Sequence, residues 1–146
     1  MKDEPLFGYK MHLAVDQGSG LVRQAVLTPA NVSDKTPFLA LVQGDEQAVY
    51  ADKGYDGWWY RQELALRGIA DGIMAASYWR RPLDAAGRAR NRAIAPIRAL
   101  VERSFAILKR WYSYRRVRYR SLVKNTLQLQ LLALARNLRR ALALRA

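Results

Sequence analysis

Cysteine is absent from the 146 residues. That rules out disulfides, thiolate metal sites and a cysteine nucleophile, and it suits a reducing cytoplasm. Histidine occurs once, as His12, and no Ser/His/Asp set, P-loop or zinc-finger spacing is present. No run of about 18 uncharged apolar residues appears. The start Met1-Lys2-Asp3-Glu4-Pro5 has no apolar stretch of the kind a signal peptide needs. Neither a membrane span nor a secretory leader is expected, which fits a cytoplasmic location. Glycine and proline are modest at 9 and 5 while 51% of residues are apolar, so a folded core is expected rather than disorder.

Acidic residues are scarce in one half only. Residues 1–75 carry 7 Lys+Arg against 10 Asp+Glu, whereas residues 76–146 carry 18 against 2. Of those 18 cations 16 are arginine, whose planar fork matches phosphate oxygens. So one-sided a charge points the C-terminal half at a polyanion, DNA above all. Arginine used as a generic surface residue is the plainer alternative.

The hydrophobic pattern gives an α/β chain with strands first and helices last. Residues 8–16 alternate, with Tyr9, Met11, Leu13 and Val15 on one face and Lys10, His12 and Asp16 on the other. Gln17-Gly18-Ser19-Gly20 is a turn, and residues 21–27 return as the second arm of a hairpin. A short helix capped by Ser33 or Asp34 is expected through Val42. Ala48-Val49-Tyr50-Ala51 reads as a buried central strand ending at Asp52. Residues 58–67 read as a helix stopped by Gly68, and residues 69–74 as a further strand. A strand-rich core over about 7–75 would then be followed by a basic connector over 76–91 without periodicity. Two helices fill 92–146, the first from Ala93 to about Tyr112 with a core stripe of Ile94, Ile97, Val101, Phe105 and Leu108. The second, residues 121–144, carries Leu127, Leu131, Leu134, Leu138 and Leu142 in line.

Two carboxylates stand out. Asp52 lies where an α/β strand gives way to a turn, Lys53-Gly54-Tyr55-Asp56-Gly57, the usual place for such a sheet to present a site. Asp56 in that turn suits a turn former. Glu102 lies on a helix with Arg98 four residues before it and Lys109 seven after. At about 100° per residue the three fall within about 40° of one another on one face. An i,i+4 ion pair on a solvated helix would use the same spacing. Acids from two elements are also the hard oxygen ligands that Mg²⁺ or Mn²⁺ takes. His12 and Lys10 share a polar strand face, where they would touch phosphate or simply support structure. Trp58, Trp59 and Tyr60 suit base stacking or core packing. Trp79-Arg80-Arg81 and the stretch from Trp111 to Arg120, with Arg115 and Arg116, mix aromatics with arginine in the manner of a single-strand or distorted-DNA contact, or form a solvated basic loop.

Several ordered motifs carry a family resemblance over nearly the whole chain. They are Gly8-Tyr9-Lys10-Met11-His12-Leu13, Thr28-Pro29-Ala30-Asn31-Val32-Ser33-Asp34, Tyr50-Ala51-Asp52-Lys53-Gly54-Tyr55-Asp56 and Arg98-x3-Glu102-x6-Lys109. Lys124-Asn125-Thr126 and Ala135-Arg136-Asn137-Leu138-Arg139-Arg140 fit as well. With these the chain resembles bacterial insertion-sequence transposases of the DDE class, insertion sequence four/five superfamily. The resemblance implies an RNase H-like mixed sheet with a helical basic C-terminal end. It also implies an Asp–Asp–Glu triad that binds two Mg²⁺ or Mn²⁺ ions and cuts and joins transposon-end DNA. Asp52 matches the second Asp and Glu102 the Glu, both catalytic and metal-binding; Arg98 and Lys109 match the basic DNA contacts. Lys10, His12, Lys53, Arg115 and Arg116 complete the expected DNA-binding set. Ala95 stands where the signature has tyrosine. The first Asp, expected on a strand before Gly8, has no match: Asp3 lies in a charged tail and Asp16 at a hairpin turn. The expectation is therefore a partial catalytic domain lacking its first strand, a truncated transposase inactive alone. A homo-oligomer, or a mixed oligomer with full-length transposase, is the expected protein partner. A non-catalytic DNA-binding remnant that interferes with intact transposase is the alternative, and an RNA-binding basic protein would leave Asp52 and Glu102 unexplained.

Overall fold

In the computed structural model, which describes residues 8–79 and 82–145, the alternating segment forms strand β1, Tyr9–Val15. It pairs antiparallel with β2, Val22–Pro29, in a register that sets His12 opposite Val26 and shifts between Ala14 and Val15. The turn is held by Asp16, whose Oδ2 accepts from the Ser19 backbone N–H at 2.7 Å and the Ser19 hydroxyl at 2.6 Å. Gly20 then takes φ +72°, a left-handed conformation that glycine adopts without steric cost.

The expected helix from Ser33 to Val42 shrinks to one turn, α1, Phe38–Leu41. Pro37 explains the delay: it disfavours helical geometry in the residue before it, while its own carbonyl accepts from Leu41 N–H at 3.2 Å. β3, Ala48–Ala51, α2, Trp58–Leu66, and β4, Ala70–Ile73, form a parallel β–α–β unit. Gly68 closes α2 at φ +70° as the sequence implied. Gly72 is needed for a different reason, since a Cβ there would lie 2.8 Å from the Val49 carbonyl and against the Tyr50 ring.

α3 runs from Ala85 to Trp111, and α4 from Leu122 to Arg145. The non-periodic connector expected over 76–91 is therefore helical from Ala85 onward. Asp84 starts it, accepting from Gly87 N–H at 2.7 Å, and its first turns are rich in Ala and Arg. Such turns form helix by propensity without an apolar stripe to betray them. The helix also continues through Pro96.

The chain divides into two compact units, Met1–Leu41 with Val101–Ala146, and Val42–Leu100. Strands fall in both units. Among the described residues the strands form two two-stranded sheets, β1-β2 and β3-β4, rather than one mixed sheet. The class is mixed α/β. β3 is also less buried than a central strand, with only Ala51 fully covered, because β4 is its one partner among the described residues.

The first unit's core gathers Leu13, Val22, Ala25 and Leu27 of the hairpin with Leu108, Tyr114, Leu129 and Ala133. Leu108 belongs to the expected α3 stripe, of which Ile94 is likewise buried and Ile97, Val101 and Phe105 half-buried. α4 departs from its reading: the line Leu127, Leu131, Leu134, Leu138 and Leu142 is exposed, and Asn125, Leu129, Ala133 and Arg136 face inward. Polar anchors explain the choice. Asn137 accepts from Val22 N–H at 2.8 Å and donates to the Val22 carbonyl at 2.7 Å, and Arg136 donates to the Gly20 carbonyl at 2.8 Å. Among the described residues no helix is long and apolar enough to cross a membrane.

Candidate functional site

Asp52 ends β3 and opens a 3-10 turn, Lys53–Tyr55, accepting the Lys53 backbone N–H at 2.8 Å on Oδ1. The same oxygen accepts from Arg98 Nη1 at 3.3 Å, an ion pair between a carboxylate 42% exposed and a guanidinium 26% exposed. Arg98 also reaches Met74 Sδ at 3.9 Å. The cation that the sequence set beside Glu102 in spacing thus reaches the end of β3. Asp52 offers a solvent-open hard oxygen donor whose two recorded hydrogen bonds both fall on Oδ1. In kind, that donor fits Mg²⁺ or Mn²⁺. Among the described residues no three of His, Asp and Glu gather into a metal-binding cluster.

A denser network, missed in the sequence, surrounds the turn after Asp52. Arg61 of α2 donates to Asp56 Oδ1 at 2.9 Å, to Asp71 of β4 and to the Ile73 carbonyl at 3.2 Å. Arg90 of α3 donates to the Asp71 carbonyl at 2.6 Å and pairs with its carboxylate at 3.1 Å. Asp56 Oδ2 accepts Ala76 N–H at 2.6 Å, so Asp56 is more than a turn former. The signal available was an Asp56-x4-Arg61 pair facing an acid on the next strand, but only the β3-β4 pairing brings those elements together.

In the first unit, Glu102 and Lys109 lie exposed on one side of α3. They line an open groove with Phe105, Ala106, Arg110 and Arg115. Arg110 was not singled out by sequence; it adjoins Lys109 at the helix end. The loop after α3 is anchored by Tyr114, which is buried and whose N–H donates to the Leu108 carbonyl at 3.0 Å. Burial pushes the Tyr114 hydroxyl pKa above its ordinary 10.0. Fully buried Asn125 accepts from Tyr119 N–H at 3.2 Å and donates to the Tyr119 carbonyl, and the Tyr9 hydroxyl donates to the Arg120 carbonyl at 2.9 Å. Arg115 and Arg116 are therefore exposed cations on a pinned loop. Trp111 is exposed too, with the Arg139 guanidinium 4.0 Å from its ring centre.

The hairpin's polar face is different from what its alternation implied. His12 is only 6% exposed, with Nε2 2.9 Å from the Thr28 hydroxyl, and burial lowers its pKa below 6.5. Lys10 donates to the Val32 carbonyl and pairs with Asp34, both at 3.0 Å. α1 packs on both strands and its Phe38 is buried outside the main cluster, covering the side expected to be open. Lys53 stays exposed beside Asp52. Of the aromatics, Trp58, Trp59 and Trp79 are exposed rather than core. Asp3, Arg80 and Arg81 lie outside the described residues.

Two comparisons bear on this arrangement. Residues 3–138 match the family model described as Transposase DDE domain. The chain is also 38% identical over 136 residues to "Transposase for insertion sequence element IS1106" of Neisseria meningitidis serogroup B. That alignment covers 92% of this chain and 47% of the relative, so the chain spans about half the length of the curated protein it matches. No solved structure matches.

Proposed function

The chain belongs to the insertion-element transposases with a DDE domain, and from that premise we propose that Asp52 and Glu102 are two of the three carboxylates serving metal-dependent DNA cleavage and strand transfer. The observation that carries the reading is Arg98. It belongs to the same motif as Glu102 and holds the carboxylate of Asp52 at 3.3 Å within the second unit. A divalent ion held by such acids activates water and stabilises the oxygens of an in-line phosphoryl displacement. Arg98 orients the Asp52 carboxylate, one of the acids that would hold the ion. Lys109, Lys53, Arg115 and Arg116 hold DNA phosphates, whereas Lys10 and His12 are assigned to the hairpin's internal structure. An RNase H-like arrangement is part of the same proposal, supported by family membership and the β–α–β unit whose first strand leads into Asp52.

Asp16 is tied to Ser19 in the hairpin turn and is not assigned as the third acid. The isolated chain is therefore expected to cut transposon-end DNA negligibly while still binding Mn²⁺. Titration of Mn²⁺ by electron paramagnetic resonance tests this, with binding expected to weaken sharply in Asp52→Asn and in Glu102→Gln. Binding that ignores both substitutions would remove the proposal, and robust cutting would mean that a local acid completes the triad. The second reading, a DNA-binding chain that interferes with intact transposase alone or in mixed oligomers, is favoured by residues 101–146, with 12 Lys+Arg against one acid. It requires an affinity that falls steeply with salt.

A further inference from the structure

We propose that the row of leucines left exposed on α4 is the seam through which two copies of this chain pair, with the two helices antiparallel. Val123, Leu127, Leu131, Leu134, Leu138 and Leu142 lie along one side of the helix, each more than half exposed. A contiguous apolar row of this kind marks an association surface, which singly scattered surface leucines do not. The proposal uses none of the residues assigned to metal or DNA above and goes beyond that reading.

The spacing of the row identifies its occupant. The steps from Val123 to Leu142 are 4, 4, 3, 4 and 4, the same read from either end. A two-fold interface needs one patch that complements itself. A palindromic row does so when the second helix runs the opposite way. Leu131 then meets Leu134 of the second copy, Leu127 meets its Leu138, and Val123 meets its Leu142. The steps of 4, 3 and 4 at the centre are those of a coiled-coil seam. Lys124 settles the direction. A parallel pair would set it against Lys124 of the second copy, whereas the antiparallel pair sets it against the small Ala141.

The charge distribution agrees. A chain of net charge +13 repels its own copy unless the cations are kept off the contact. Between Leu127 and Leu142 the cations of α4 are Arg136, Arg139 and Arg140, all at least about 100° around the helix from the centre of the row. Each is engaged within its own chain: Arg136 on the Gly20 carbonyl and Ser104, Arg139 over Trp111, and Arg140 on the Ser19 carbonyl. The positions flanking the seam, Gln128, Gln130, Ala135 and Asn137, are uncharged. Charges at such positions choose a foreign helix in a coiled coil, and an acidic partner would need cations there. The row therefore suits its own copy.

The test is sedimentation equilibrium of the full chain over a concentration series, at salt high enough to release bound nucleic acid. The wild-type chain should be a dimer that dissociates on dilution. Leu131→Lys and Leu134→Lys each change two places in a two-fold seam and should raise the dissociation constant at least about thirtyfold. Ala143→Lys adds the same charge to the same helix off the row and should dimerise as the wild type does. Because the chain has no cysteine, introduced ones report the direction of pairing. In the antiparallel register the two residues 127 lie about 16 Å apart along the axis, out of disulfide reach, whereas 127 faces 138 of the second copy. A mixture of Leu127→Cys and Leu138→Cys chains should cross-link on oxidation, and neither variant should do so alone. A wild-type chain monomeric throughout the series would overturn the proposal and give the row to a different protein segment. Lysine variants no different from Ala143→Lys would overturn it too, as would either cysteine variant cross-linking alone as readily as the mixture.

Discussion

Arginines in the second unit and arginines at the C-terminal end of the first keep different company. In the second unit Arg61, Arg67, Arg90 and Arg98 each meet a carboxylate, from Asp56 and Asp71, Glu63, Asp71 and Asp52 in turn. Over residues 101–146 the only acid is Glu102. The partners shown for these cations are neutral, whether backbone carbonyls, an amide oxygen, a hydroxyl or a ring: Arg136 on the Gly20 carbonyl, Asn137 Oδ1 and Ser104, Arg140 on the Ser19 carbonyl, Arg139 over Trp111. The same residue type thus ties elements together in one region and presents charge in the other. What decides between them is the local supply of acids, not the number of arginines.

Arg136 is the sharpest challenge to that division, being a cation 7% exposed. Its guanidinium donates to the Gly20 carbonyl and to the Ser104 hydroxyl, both at 2.8 Å, while Nε has no partner. Burial, and then the charge of Arg140, push its pKa down. Arg136→Ala should cost about 3 kcal/mol, from the void and the two carbonyl and hydroxyl groups left without a donor. Arg136→Met fills the void without a charge to desolvate but leaves the same two groups without a donor, and should cost less than Arg136→Ala, within about 2 kcal/mol of the wild type. Urea unfolding of both variants measures this. Equal, large losses would mean that the guanidinium's bonds outweigh its desolvation.

Arg61→Ala should come next, at about 2 kcal/mol, since it releases Asp56 and Asp71 together from groups less than a third exposed. Hydrogen exchange should show the loss concentrated in β3, α2 and β4. A uniform loss over the hairpin and α4 would contradict the local role.

These contacts show how much of the fold was legible beforehand. The hairpin, the stop at Gly68 and the α3 stripe follow from rules of local spacing, and the structure keeps all three. The start of α3 was hidden because Ala- and Arg-rich turns form helix without an apolar period. The inward face of α4 was hidden because two polar residues, Asn125 and Arg136, outcompete a longer line of leucines by satisfying backbone groups of other elements. Asp52, Glu102, Arg98 and Lys109 are candidates through the motifs that carry the family resemblance. The Arg98–Asp52 pair was not legible, because it joins residues 46 apart whose approach only the folded second unit specifies.

His12 gives a smaller effect with a definite sign. Its folded pKa lies below 6.5, so the unfolded chain takes up the proton first as pH falls. Stability is then full above about 6.5 and is lost as pH drops through that value toward the folded pKa, by about 1.4 kcal/mol for each unit of depression. His12→Gln keeps an amide to face Thr28 and should flatten the stability difference between about pH 7.5 and pH 5.5. An unchanged slope in that variant would place the titration elsewhere and reopen His12 as a ligand-facing group.

The smallest expected stability effect carries the comparison's other half. Arg116 sits exposed on a loop whose fixed points are Tyr114, Asn125 and Tyr9, not its own side chain. Arg116→Ala should leave the unfolding free energy within about 0.5 kcal/mol of the wild type. The same variant should lower the salt slope of DNA binding by about one. Arg61→Ala is the mirror case, costing stability while leaving that slope unchanged. If Arg116→Ala instead destabilised the chain and left DNA binding intact, the loop's cations would be structural like those of the second unit, and the charge gathered at this end would have lost its reason to face outward.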